Sequence, residues 1–328
     1  MSGQQLQKKG EGVCRQWESE CRRWRSMADL LDRTAQDAPL VLLGAPLAEG
    51  SLTPGRCDLA PQALRQTLAR VSTYDLETGS ELADLTIRDA GDLDLKLLRP
   101  DAAFAPIRDA FAPLVARHTL AVMIGGNNAV TRPAVHALAA GLGLPLRNIG
   151  LVTLDAHFDL RDTDCGLING NPVRALIADG LPGSHIVQIG LQPFANTARM
   201  HAFARAQGIR IVTMAELRRR GIAAVMEEAL KILADRVAAI HVDFDIDVIE
   251  RALLPAAPGA RPGGMMPADF FLAARIAGTH SKIRSVDLTE FDPALDVADV
   301  SSLTAARWFA ELAAGLASRG KEHAAADS

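Results

Sequence analysis

Two acidic clusters in the chain have a spacing that suits metal chemistry. Asp155, His157 and Asp159 follow the apolar run Ile149 to Leu154, in the order D-A-H-F-D. Asp243, Asp245 and Asp247 follow Ala239 to Val242, in the order D-F-D-I-D. In extended chain, side chains at i, i+2 and i+4 share one face. Asp155, His157 and Asp159 then point one way, as do Asp243 and Asp245, with Asp247 just beyond. Bare carboxylates gathered at the ends of buried strands repel one another. Either each has a basic partner or caps a helix, or a divalent cation holds them. Carboxylate oxygens with one imidazole suit Mn²⁺ or other borderline-hard divalent ions. Two aspartates shared between two ions would make a binuclear centre, able to lower the pKa of a bridging water from about 15.7 towards neutrality. Hydrolysis is the chemistry that follows.

The elements that must carry these groups are strands alternating with helices. Apolar runs at 39–46, 118–126, 148–156, 185–190, 209–214, 238–245 and 282–291 predict strands. They read as near-continuous apolar stretches, the pattern of strands buried on both faces. Segments such as PAVHALAAGLG, PVRALIADGL and GIAAVMEEALKILADRV have helical length and period between them. Such alternation predicts a parallel sheet covered by helices on both faces, and ligands of such sheets bind at the carboxyl ends of the strands. Residues 39–318 show no break or repeat and predict one domain. Residues 1–38 form an N-terminal extension, with a helix expected over 13–33 whose stripe is Trp17, Trp24, Ala28 and Leu31. That helix would dock on the domain or on a neighbouring subunit. Residues 319–328 read as a disordered tail.

Composition narrows the function classes. Of 328 residues, 48% are hydrophobic and 23% charged, ordinary for a globular chain. The net charge of −4, without basic runs interleaved with aromatics, argues against nucleic acid. No apolar run reaches the ~20 residues that span a bilayer, and the polar start lacks a signal-peptide core. The four cysteines form no C-x-x-C pair, so free thiols in a cytoplasmic protein are expected.

A further stretch, AVMIGGNNAV (121–130), leaves a strand through Gly125-Gly126 into Asn127-Asn128. Taken with GAPLAEGSLTPGRCDLAPQALR (44–65), LDAHFDLRD (154–162), NGNPVRAL (169–176), VDFDIDV (242–248), PAAPGARPGGM (255–265) and VDLTEFDP (286–293), it resembles the ureohydrolase family of arginase, agmatinase and formimidoylglutamase. The pieces occur in the family's order and cover most of residues 39–315. The resemblance implies a three-layer α/β/α fold with a mainly parallel sheet of about eight strands, a Mn²⁺ pair, a homotrimer or homohexamer, and hydrolysis of a C–N bond in an amidine or guanidine.

By motif, the resemblance implies that Asp155 and Asp243 bridge the metals, that His157 and Asp245 complete one ion's shell, and that Asp159 completes the other's and holds the bridging hydroxide. It places Glu290 where a carboxylate receives the substrate's cationic head by paired hydrogen bonds. Two positions depart from the family. Asn128 stands where relatives place a metal-binding His, and can offer only an amide oxygen. Asn169 stands where many have a proton-shuttling His, and an amide cannot shuttle protons.

Arg161, two residues after Asp159, would give a bidentate fork for a substrate carboxylate. Asn169, Asn171, Arg174 and Gln192 join it as expected substrate contacts, with Arg261 a further candidate. This local pattern is similar to the formimidoylglutamase branch and implies N-formimidoyl-L-glutamate plus water giving L-glutamate and formamide. The alternatives are a guanidine hydrolase of the agmatinase or guanidinobutyrase type and a metal-poor, non-catalytic member.

Overall fold

The structure is a computed structural model and describes residues 25–326. Its strands are β1 (Leu31–Asp32), β2 (Leu40–Ala45), β3 (Tyr74–Asp75), β4 (Ser80–Glu81), β5 (Ile87–Asp92), β6 (Leu120–Gly125), β7 (Ile149–Leu154), β8 (Ile186–Leu191), β9 (Arg210–Thr213), β10 (Ala239–Asp245) and β11 (Ile283–Thr289). The α-helices are α1 (Ala60–Leu68), α2 (Pro100–Arg117), α3 (Thr131–Gly141), α4 (Pro172–Ala178), α5 (Ala198–Ala206), α6 (Met214–Arg220), α7 (Ile222–Ala234), α8 (Pro267–Thr279) and α9 (Val300–Ala326). Nine strands form one parallel sheet in the order β1-β5-β2-β6-β11-β10-β7-β8-β9, and β3 and β4 pair as a separate hairpin.

The central strands are buried along their whole length, as their unbroken apolar runs require. On one face Val152, Leu154, Val242, Phe244 and Leu288 pack against α1 and α6–α9; on the other Val41, Leu43, Met123 and Leu151 pack against α2–α5. Each fully buried aliphatic side chain contributes about 1.5–3 kcal/mol. Phe244 makes edge contacts with Phe270 and Trp308, both ring centroids at 5.3 Å. That packing fixes the end of β10 between its flanking aspartates. It links core burial directly to the placement of Asp243 and Asp245.

All seven strands expected from sequence are present. The sheet gains two more, β1 and β5. Both are short or amphipathic: β5 reads IRDAGD, with too few apolar residues to stand out. The expected helix over 13–33 is corrected over its described part. Met27–Leu30 is a 3-10 turn and Leu31–Asp32 adds to the sheet edge beside β5. Residues 13–24 lie outside the described residues. The extension therefore contributes a short strand to the edge of the sheet. At the other end α9 continues through Ala326, where a disordered tail was expected. No described helix is long and apolar enough to cross a membrane.

Candidate metal centre

The acidic groups meet at the carboxyl end of the sheet, where β6, β7, β10 and β11 stop side by side. Asp155, His157 and Asp247 bring one ligand atom each within 4.8 Å of one another. His157 Nδ1 lies 3.0 Å from Asp247 Oδ2 and 3.4 Å from Asp155 Oδ1. Asp245, whose Oδ1 accepts from the Asp247 backbone N–H at 2.9 Å, and Asp159 complete the floor of a cavity of about 160 Å³. Gly259 closes one side. A Cβ there would fall 2.1 Å from Asp247 Oδ2, so only glycine lets that loop approach the cluster.

The cluster is electrostatically unbalanced by itself. Burial, reinforced by the Asp247 charge, pushes the Asp155 carboxyl up to about 7. Burial likewise raises Asp159 and Asp245 well above the carboxylate range. The Asp247 charge pushes His157 up to about 12. Burial opposes ionisation of Asp247 too, but His157 beside it holds its carboxyl below the usual value. Groups that lift one another's protonation in this way are what a divalent cation would resolve, and the oxygen-rich donor set with one imidazole fits such an ion.

The Asp243 assignment is corrected. Asp243 does not line the cavity; it lies fully buried inside the sheet, in register with Asp287 of β11 and Thr153 of β7. Strand β10 runs on through Asp245, so the side chains that reach the cleft come two residues later, at Asp245 and Asp247. The D-x-D-x-D repeat has the strand's own period, and a two-residue slip leaves its pattern unchanged. Burial, with Asp287 alongside, raises the Asp243 carboxyl well above its ordinary value.

Asn128 is placed at the site but turned otherwise than a metal ligand requires. Its Nδ2 donates to Asp159 Oδ2 at 2.6 Å, and its Oδ1 faces the hydroxyls of Thr131 (2.7 Å) and Thr289 (3.1 Å). Its backbone N–H donates to Glu290 Oε1 at 2.7 Å. Asn127 acts as the turn residue, accepting from Ala129 N and donating to the carbonyls of Ala48 and Glu49.

Glu290 and Asp159 both hold positive φ, 61° and 53°. That strain in non-glycine residues is kept only where the surroundings over-determine it. Asn169 Nδ2 donates to the same Glu290 oxygen at 2.9 Å. Burial pushes the Glu290 carboxyl up to about 7, against these two hydrogen bonds.

Of the expected substrate contacts, Arg161, Asn169 and Glu290 line the cavity, and Arg261 joins them. Arg161 runs across Gly170, where a Cβ would sit 2.9 Å from its Cδ. Three expectations are corrected. Asn171 braces the 162–170 loop, donating to the carbonyls of Asp162 and Gly166 and accepting from Ile168 N. Arg174 stacks on Phe203, 3.7 Å from the ring centroid, and pairs with Asp162. Gln192 is buried behind the wall, its backbone bonded to Ala156 and Asn196. Asn196 lines the cavity instead and holds the loop by accepting from Phe158 N at 2.8 Å. Nothing local in the sequence marked Asn196, since its role depends on a fold-back from β8. Met200, Leu52 and Thr53 also line the cavity.

Fold and site together define an α/β/α protein with a carboxylate-rich cleft at the ends of its parallel strands. The arginase family model matches residues 38–315, and the chain belongs to that family. It is 32% identical over 269 residues to a formimidoylglutamase of Halalkalibacterium halodurans, covering 81% of this chain and 83% of that one. The crystal structure of formimidoylglutamase from Bacillus subtilis superposes with a TM-score of 0.84 at 26% identity, covering 90% of this chain and 92% of that one. A Trypanosoma cruzi formiminoglutamase solved with Mn²⁺ shares the fold, with a TM-score of 0.83 at 23% identity over 90% of this chain and 99% of that one.

Proposed function

We propose that this chain hydrolyses N-formimidoyl-L-glutamate to L-glutamate and formamide, with Mn²⁺ held by Asp155, His157, Asp245 and Asp247. The observation that carries the reading is the polarity of the cavity. Its floor is acidic and ends at Glu290, while Arg161 and Arg261 line its wall. Among the described residues no ion pair engages either guanidinium, whereas the neighbouring Arg174 is paired with Asp162. A substrate with a cationic amidine at one end and carboxylates at the other matches that layout. Agmatine, which has no carboxylate, would leave both arginines unanswered. The similarity to formimidoylglutamases supports the same reading.

When bound, Mn²⁺ supplies the Lewis acidity that makes water a nucleophile near neutral pH. The chain's own groups do the rest. Glu290, fixed by Asn128 N–H and the Asn169 amide, accepts hydrogen bonds from the amidinium and sets the planar carbon over the floor. Arg161 and Arg261 take the glutamate carboxylates. Asp159 receives the proton of the attacking water and delivers it to the departing glutamate nitrogen. Asp159 would hold the second ion of a binuclear centre, with little help from Asn128, whose Oδ1 faces Thr131 and Thr289 instead. We further propose a homo-oligomeric protein of the cytoplasm.

A panel of amidines and guanidines assayed with Mn²⁺ tests this. Formamide released from formimidoylglutamate is the expected product. Urea released faster from a guanidino compound would move the chain to another ureohydrolase activity.

A further inference from the structure

Beneath the cleft, Thr131 has no part in the reaction described above. It is fully buried at the start of α3. Its Oγ1 lies 2.7 Å from Asn128 Oδ1 and 2.9 Å from Asp287 Oδ2. A hydroxyl has one proton to donate, and here two acceptors compete for it. Asp287 is itself fully buried, with His241 Nε2 at 3.1 Å from the same oxygen and its other oxygen without a partner. His241 is held in turn by Ser285 Oγ at 2.8 Å.

The competition has a consequence at the cleft. With the Thr131 proton on Asn128 Oδ1, the amide NH₂ must face Asp159, as observed at 2.6 Å. With the proton on Asp287, Thr131 offers Asn128 a lone pair. That favours the NH₂ end, and the amide turns its oxygen towards Asp159 and the cation floor. Thr289, 3.1 Å from the same Oδ1, adds a second hydroxyl that can serve either orientation. We propose that Thr131, with Asp287 competing for its proton, is the positioning residue that decides which end of the Asn128 amide faces Asp159. This rests on the roles given above to Asp159 and the metal floor.

The test compares Thr131→Val with Thr131→Ser, reading Mn²⁺ affinity of the stripped protein by calorimetry alongside kcat and KM. Valine keeps the shape and removes the hydroxyl; serine keeps the hydroxyl. The expected result is that Thr131→Val tightens Mn²⁺ binding about fivefold or more, the weight of one hydrogen bond, because Asn128 Oδ1 loses the donor that holds it away from the cation floor. It also lowers kcat more than it raises KM, because the amide's bond to Asp159 is loosened. Thr131→Ser stays within about twofold of the parent. Unchanged or weaker Mn²⁺ binding in Thr131→Val overturns the proposal, as does a serine variant that behaves like valine. If Thr131→Val yields no folded protein, Thr289→Val touches the same oxygen and carries the same expectation at smaller size. Unchanged or weaker Mn²⁺ binding there is then the overturning result. A parent that binds Mn²⁺ but does not hydrolyse formimidoylglutamate removes the substrate reading and leaves the Mn²⁺ comparison standing.

Discussion

The side-chain amide of Asn128 donates to the Asp159 carboxylate at 2.6 Å, and the same residue's backbone N–H donates to Glu290 at 2.7 Å. One residue therefore tethers the two acids that, in the proposed reaction, move the proton and seat the amidine. Both acids sit at positive φ, a conformation that persists only where the surroundings over-determine it.

Replacing Asn128 with Ala keeps the backbone bond to Glu290 and removes the one to Asp159. A hydrogen bond to a charged group is worth about 1.5–3 kcal/mol. Steady-state kinetics should show kcat reduced by roughly tenfold or more, with KM for formimidoylglutamate changed much less. A variant impaired in KM alone would mean that Asn128 serves substrate binding.

Arg161→Ala should raise KM for formimidoylglutamate by tenfold or more, about the weight of a charge-assisted pair. The effect on a formamidine lacking carboxylates should be small. Arg174→Ala should leave both values near the parent's, because its guanidinium is spent on Phe203 and Asp162. Equal KM effects of Arg161→Ala on the two substrates would remove the fork.

The metal-free protein should lose stability as pH rises. Burial lifts Asp155 and Glu290 from ordinary values of 3.8 and 4.5 to about 7, and the Asp247 charge lifts His157 from 6.5 to about 12. In each case the folded value exceeds the unfolded one, so the folded chain binds the extra protons. The stability they contribute is complete at low pH. It fades between about pH 4 and 7 for the acids and from about 6.5 upward for the imidazole. Asp247, held below 3.8, acts in the opposite sense only at lower pH. Melting curves should therefore show a larger gain in Tm on adding Mn²⁺ at pH 8 than at pH 5.5. A gain that is equal, or larger at pH 5.5, would contradict the electrostatic account.

Much of this was legible in the chain. The buried strands announced themselves as apolar runs, and D-A-H-F-D marked the carboxylate-rich end of one of them. What the sequence hid has physical causes. Strand β5 lies towards the sheet edge and carries polar residues. Asp243 and Asp247 exchange places without disturbing a period-two pattern. Arg174 and Asn171 look like pocket residues beside Asn169, yet each is turned by another partner, Phe203 for one and the nearby 162–166 turn for the other. The inward turn of Asn128 draws on the hydroxyls of Thr131 and Thr289, the latter contributed by a strand more than a hundred and fifty residues away.

The reassignment within D-x-D-x-D gives its own contrast. Asp247→Asn should weaken Mn²⁺ binding by at least about tenfold, since an amide oxygen replaces a charged ligand. Asp243→Asn should leave Mn²⁺ affinity close to the parent's and relieve repulsion with Asp287, holding or raising Tm. The reverse pattern would restore the register first read from the sequence.

The most direct test measures formamide released from N-formimidoyl-L-glutamate by protein stripped with chelator and then titrated with Mn²⁺, parent beside Asp247→Asn. The parent should be inactive when stripped and recover as Mn²⁺ is added, while the variant stays inactive at Mn²⁺ concentrations that saturate the parent. Formamide release from stripped protein, or equal recovery in Asp247→Asn, would contradict a metal-dependent amidine hydrolase built on Asp155, His157, Asp245 and Asp247.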